Sequence, residues 1–342
     1  MIPQTYRAAV LTAPGRIEIE ERPTPMPGPG EALVRVRFAG ICGTDLALFS
    51  GDYPTPLPLV PGHEFSGEVA AVGEGVDQDL VGAQITGEIN ITCVSRGESR
   101  LCAACSRDLP NHCQTRTVLG IVGCDGALAE YLVLPVRNLH LLPRGLPLHH
   151  GTFVEPLAAA IQTFELTPIS PGDAVVVMGA GRLGVLVCKV AALKGARVAA
   201  VSHSPYKLQL ARKFGAQALI EAGENVREQV LALTNGLGAD AVVECTGAPD
   251  GIRQALGLVR PRGTVCLKST PGDLMPQFPL TPTVVNEVGI QSSRCGPFGK
   301  AIRLMARHGL PMDTLVSARF PLKDVQAAME AARTKFKVII QC

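Results

Sequence analysis

Apolar positions divide the chain into two regions of different rhythm. Up to about residue 150 the runs are short: Tyr6 to Leu11, Ile17 to Glu21, Ala32 to Phe38 and Phe65 to Val72 alternate or cluster as strands do, with proline and glycine between them. Prolines at 23, 25, 27 and 29, and again at 54, 56, 58 and 61, remove ladder donors and break helices, which predicts surface connections there. No helix longer than a few turns is predicted in this half. From about 156 to 291 apolar strands alternate with helical stretches, the pattern of βα units around a parallel sheet. Strands are predicted at Val198 to Val201, Ala241 to Glu244 and Thr264 to Lys268, and helices at Val185 to Lys194 and Lys207 to Phe214. The class is therefore α/β.

The second region opens with Val175-Val-Val-Met-Gly-Ala-Gly-Arg-Leu-Gly184, an apolar run that stops at spaced glycines. Gly179 can take unusual turn dihedrals, Gly181 lets backbone amides approach a pyrophosphate, and Gly184 lets the next helix pack on its strand. A helix N-terminus there favours an anion. The same glycines serve a turn used only for packing, but a strand before and a helix after favour a dinucleotide site, with Leu183 among its contacts. A carboxylate after the second strand would bind the ribose hydroxyls of NAD; Ser202 stands there instead. With His203 and Lys207 as donors toward a 2′-phosphate, NADP is favoured over NAD, although no arginine is present and a merely polar strand end is the alternative. Cys245-Thr246-Gly247 and Lys268-Ser269 follow later strands, where they line the nicotinamide side or form ordinary turns.

At 342 residues the chain is long for one core, and two domains are expected. A net charge of +2 without a basic stretch gives no reason to expect a nucleic acid or an anionic membrane, and leaves small molecules as partners. Met1 to Val10 has no basic start followed by an apolar run, and Lys189, Lys194 and Arg197 interrupt the apolar stretch after Gly184. The expectation is a soluble, unsecreted protein. Eleven cysteines, several at short spacings, favour thiolate ligands in a reducing compartment, hence the cytoplasm.

Two polar clusters interrupt the β-rich half. Gly40-Ile-Cys-Gly-Thr-Asp45 precedes Gly62-His-Glu64 by about twenty residues, and thiolate and imidazole are favoured zinc ligands. Cys42 or His63 alone reads as an ordinary core residue. Together they suggest a metal site, with Asp45 orienting the second ring nitrogen of His63. Cys93, Cys102, Cys105 and Cys113 can close a tetrahedral shell around a structural zinc; paired disulfides or unconnected thiols are the alternative.

Cys42-Gly-Thr-Asp45, Pro61-Gly-His-Glu64, the cysteine lobe, Glu155-Pro156, the glycine fingerprint and Lys337-Val-Ile-Ile together resemble the medium-chain, zinc-dependent alcohol and polyol dehydrogenases over nearly the whole chain. That resemblance implies a GroES-like β-rich catalytic domain (1–155 and 292–342) beside a doubly wound parallel-sheet Rossmann cofactor domain (156–291). It implies a catalytic zinc on Cys42, His63 and Glu155, with Glu64 or a water completing the shell, and a homodimer or homotetramer. Arg294, and more weakly Lys337, are expected to contact cofactor phosphate or substrate. Thr44 is expected to accept the proton as an alcohol or polyol is oxidised, and Leu48, Phe49, Tyr53 and Phe298 are candidate specificity residues. The acidic ligand Glu155 points toward the polyol, sugar and threonine branches.

Three positions depart from the family pattern. Val94–Leu101 is an apparent insertion between the first two lobe cysteines, Ala47 stands where many members carry a proton-path histidine, and Ser202 replaces the acidic residue. The rival readings are a zinc-independent quinone or enoyl reductase on the same scaffold, and a non-catalytic nucleotide- and zinc-binding protein.

Overall fold

The computed structural model describes residues 1–269 and 278–342. The chain divides into two compact units, Met1–Glu155 with Phe298–Cys342, and Pro156–Pro297. The return to the first unit comes at Phe298 rather than after Gln291, because Gly289–Ser292 still pairs as a strand of the second unit.

In the second unit six parallel strands lie in the spatial order Ala218–Glu221, Arg197–Ser202, Ala174–Met178, Ala239–Glu244, Val259–Leu267, Gly289–Ser292. In sequence order this is 3-2-1-4-5-6, the doubly wound arrangement, whose switch point falls between Ala174–Met178 and Ala239–Glu244. Val175, Val176 and Val177 are all buried, as β-branched residues of a strand covered on both faces must be. Helix Arg182–Leu193 follows with Gly181 as its N-cap residue and buries Val185, Val187 and Val190. Helix Pro205–Lys213 starts two residues before the predicted Lys207, because Ser204 caps it, accepting the Lys207 amide, and Pro205 suits the first position.

The first unit is built on a seven-stranded mixed sheet and a separate two-stranded hairpin, Thr5–Ala13 with Arg16–Pro23. The central strand Glu31–Gly40 pairs antiparallel with Glu64–Val72, Tyr131–Pro135 and the C-terminal strand Lys337–Gln341. This register places Gly40 opposite both Glu64 and Ile339, which brings the chain's end beside the Cys42 and His63 segments. The prolines near residues 54 to 58 occupy irregular chain as expected, but Pro61 is buried. Its carbonyl and that of Gly62 accept the Leu128 and Ala127 amides, so this segment is held inside the unit rather than on its surface.

Candidate active site and metal centres

Cys42 is the N-cap of helix Gly43–Ser50, and Asp45 occupies its third position. Asp45 Oδ2 reaches back to accept the Cys42 amide at 2.8 Å, as an acidic residue three places into a helix can. Its Oδ1 accepts the Gly62 amide at 3.0 Å and lies 3.3 Å from His63 Nδ1, within ion-pair distance but outside hydrogen-bond alignment. One buried carboxylate therefore ties both metal-type segments together. Gly62 enters the segment at φ +99°, where a Cβ would also press on the Leu128 amide.

The Cys42 thiol, the His63 ring and the Glu64 carboxylate place ligand atoms within 4.8 Å of one another. Sulfur, nitrogen and oxygen donors at that spacing suit zinc. Burial opposes ionisation of Cys42, but His63 beside it outweighs burial and moves the thiol pKa down. Burial likewise favours neutral His63, yet Asp45 and Cys42 raise its pKa well above the ordinary value. Glu155, in the first turn of helix Val154–Leu166, stands outside the three-residue group.

Lys337, expected at cofactor phosphate or substrate, is buried and paired beside the metal-type residues. It is 2 % exposed, its ammonium pairs with Glu64 and donates to the Ile41 carbonyl at 3.3 Å, and it sits 5.7 Å from the Phe153 ring centre. Burial pushes its pKa down to about 8. Thr44 is partly exposed on the same helix as Asp45. Of the candidate specificity residues, Leu48, Phe49 and Phe298 are buried: Phe49 lies under the Arg333 guanidinium and Phe298 stacks on His140. Tyr53 is exposed.

The four lobe cysteines converge, with all sulfurs within 4.8 Å. They are free thiols, and Cys102 and Cys113 lie 3.7 Å apart, far beyond a disulfide bond. The inserted segment turns back on itself through Glu98 N to Cys93 O and Gly97 N to Val94 O, which returns the chain toward Cys102. The Cys93 and Gln114 amides donate to Cys113 and Cys102 sulfur. Burial resists ionisation of Cys113, but donors from Thr115 and Cys93 bring its pKa down to about 6. The site fits a closed thiolate shell.

In the second unit Gly179 has φ +90°, and a Cβ there would meet the Cys245 carbonyl across the switch point at 2.9 Å. A Cβ on Gly184 would overlap the Gly179 carbonyl, whereas one on Gly181 meets nothing within 4 Å. The helix start beside Gly181 is thus open to a ligand, a cradle that suits a pyrophosphate. Ser202 is buried at its strand end, its Oγ accepting the Ser204 amide at 3.2 Å, while His203 and Lys207 are exposed. Lys268 is engaged with the Ser293 carbonyl and hydroxyl, each at 3.0 Å, and with the Arg294 carbonyl. Leu183 lies in the first turn of the helix, and Arg294 contacts the Cys295 sulfur. Thr246 and Ser269 both bond to Glu244, a buried carboxylate that no spacing in the sequence singled out.

Residues 28–144 match the family model of the alcohol dehydrogenase GroES-like domain, and residues 183–307 that of the zinc-binding dehydrogenases. The sorbitol dehydrogenase of Halalkalibacterium halodurans is 31 % identical over 326 residues, 94 % of this chain and 93 % of that protein. The chain belongs to the zinc-dependent medium-chain dehydrogenases. It is an oxidoreductase of the alcohol and polyol type. The dehydrogenase is also 38 % identical over 267 residues to the L-threonine 3-dehydrogenase of Pyrococcus horikoshii, covering 76 % of this chain and 74 % of that one. A crystal structure described as a zinc-binding dehydrogenase from Sinorhizobium meliloti 1021, bound to NADP, superposes with a TM-score of 0.88 at 30 % identity, covering 99 % and 100 % of the two chains. An alcohol dehydrogenase from Escherichia coli CFT073 complexed with NADH gives 0.91 at 26 % identity, with the same coverage. Among the described residues no helix is long and apolar enough to cross a membrane.

Proposed function

We propose that the dehydrogenase interconverts a polyol, sugar or amino alcohol and its carbonyl product, with NADP preferred. The observation that carries this reading is the buried convergence of Cys42, His63 and Glu64, tied together by Asp45 and backed by Lys337. Zinc held there would supply Lewis acidity to the substrate oxygen, and the nicotinamide would take the hydride. Cys42 and His63 would hold the ion with Glu64 or Glu155 as the carboxylate ligand, and Asp45, 3.3 Å from His63 Nδ1, would keep that ring in place. Thr44 Oγ1 accepts the proton that leaves the hydroxyl as its own hydroxyl proton passes on to water. Lys337, paired with Glu64, holds that carboxylate beside Cys42 and His63.

Fold and family alone do not select a substrate. The polyol and amino-alcohol class is supported by the acidic Glu155 and by the sorbitol and threonine dehydrogenases among the relatives. Preference for NADP is supported by Ser202, which presents no negative charge to a 2′-phosphate, and by the exposed His203 and Lys207 beside it. A second reading, with NAD, is favoured by Glu221, the register partner of Ser202 at the end of the neighbouring strand. Turnover of zinc-replete protein with sorbitol, xylitol, threonine and simple alcohols, each with NAD and NADP separately, tests both points. Reduction of neither coenzyme with any of them sinks the reading, and a kcat/KM higher with NAD sinks the coenzyme preference.

A further inference from the structure

A third polar cluster of the first unit takes no part in this chemistry. His149 and His150 stand in the short helical segment Leu148–Phe153, and Asp313 lies in Met312–Leu315, on the part of the chain that returns after the second unit. One carboxylate receives both rings, an oxygen to each: His149 Nε2 lies 2.6 Å from Oδ1 and His150 Nε2 3.0 Å from Oδ2. The rings meet edge to face with centres 4.6 Å apart, and Phe38 packs against His149 at 5.8 Å. Both imidazoles are largely buried, at 17 % and 10 % side-chain exposure, whereas Asp313 is 61 % exposed.

Two imidazoles and a carboxylate, converging from the protein side with an open outer side, form the donor set that borderline divalent transition metals prefer. Magnesium and calcium prefer all-oxygen shells and are disfavoured. Donors about 2.0–2.2 Å from a shared ion stand roughly 3.0–3.5 Å from one another, so the present N···O spacings of 2.6 and 3.0 Å need to open by less than about 1 Å. Arg319, 3.5 Å from Asp313 Oδ1 and itself exposed, is the competing cation.

We propose that His149, His150 and Asp313 form a further metal site, for a divalent ion of the zinc, cobalt and nickel class, separate from both cysteine-containing centres. The ion clips the returning segment to the body of the first unit. His150 and Asp313 are 163 positions apart, and a clip that closes a long loop removes much entropy from the unfolded chain.

The test uses the zinc-replete enzyme, titrated with Ni²⁺ by calorimetry and with Co²⁺ by absorption. One further Ni²⁺ per chain is expected, with a rise in Tm that grows with its concentration. The added Co²⁺ should show only weak d–d bands, without the thiolate charge-transfer absorption that cobalt in either cysteine-containing centre would give. His149→Gln with His150→Gln should abolish the extra uptake while both zincs and turnover are kept. Asp313→Asn should weaken uptake by at least about tenfold, since losing even an outer partner of a ligand costs about 10- to 100-fold. Arg319→Gln should strengthen it. No further ion taken up by the parent, uptake retained in the double variant, or thiolate absorption from the added cobalt would each overturn the proposal.

Discussion

Alanine at Gly181 and alanine at Gly184 should separate coenzyme binding from folding within one short motif. Gly181 has φ −78° and ψ −168°, ordinary for any residue, and an added Cβ touches nothing within 4 Å. Alanine there costs at most about 1 kcal/mol as a weaker cap and regains about 0.4–1 kcal/mol by restricting the unfolded chain. The Tm of Gly181→Ala should therefore stay within about 3 °C of the parent. Its methyl would stand where a pyrophosphate comes up to the helix amides. Loss of one charge-assisted hydrogen bond, about 1.5–3 kcal/mol, weakens NADP binding by roughly 10- to 150-fold. At Gly184 the added Cβ overlaps the Gly179 carbonyl oxygen and comes within 3.0 Å of its carbon, so backbone must move. The cost should reach about 3 kcal/mol, the upper end of ordinary overpacking, or more, and lower Tm by roughly 6 °C or more. Calorimetric titration with NADP and thermal melts followed by circular dichroism read the two effects apart. A Gly181→Ala protein that binds NADP as tightly as the parent would refute the placement of the phosphate site, and a Gly184→Ala protein with an unshifted Tm would refute the packing argument.

Thr44→Ala should lower kcat for alcohol oxidation by about 100-fold or more, the scale of a lost proton acceptor, with zinc content unchanged; unchanged turnover removes Thr44 from the mechanism. Cys102→Ser should leave one zinc per chain instead of two and lower Tm, read by elemental analysis and a melt, and two zincs retained would argue against the four-thiolate shell. Ser202→Asp should move the ratio of kcat/KM values toward NAD by placing a charge against the 2′-phosphate, and an unaltered ratio would show that coenzyme choice is made elsewhere. Asp240 accepts the Ala174 amide at 2.8 Å and the Arg260 guanidinium at 2.6 Å, and although burial opposes ionisation, these donors hold its pKa below the ordinary value. Its folded pKa is the lower one, so the stability it adds is complete above about pH 4 and disappears as pH falls through the folded value. Unfolding free energies of the parent and Asp240→Asn, from denaturant titrations, should thus differ by about 1 kcal/mol at pH 7 and converge in acid; a constant difference would sink the assignment.

What the sequence determined by itself was whatever is written in short, local patterns. Apolar runs and their punctuation define the strands, since side-chain period and proline chemistry act over a few residues. The glycines at 179, 181 and 184 carry three separate geometric demands within six positions, which the structure meets as a turn at φ +90°, an open helix start and a close contact. Cys42, Asp45 and His63 were legible because the helix start and the segment at Gly62 each use a fixed spacing to present their groups. Only the tertiary structure decided the rest. The inserted Val94–Leu101 blurs the lobe spacing, and the turn that returns it to Cys102 rests on backbone hydrogen bonds that no residue pattern announces. Lys337, a weaker candidate for cofactor phosphate or substrate in the sequence, is carried by strand register to buried Glu64, and the burial of Leu48, Phe49 and Phe298 is set by packing. His149, His150 and Asp313 meet only after the chain has passed through an entire second unit. Nothing local encodes that meeting, because the hydrogen bonds that join them are formed across a separation that sequence spacing does not measure.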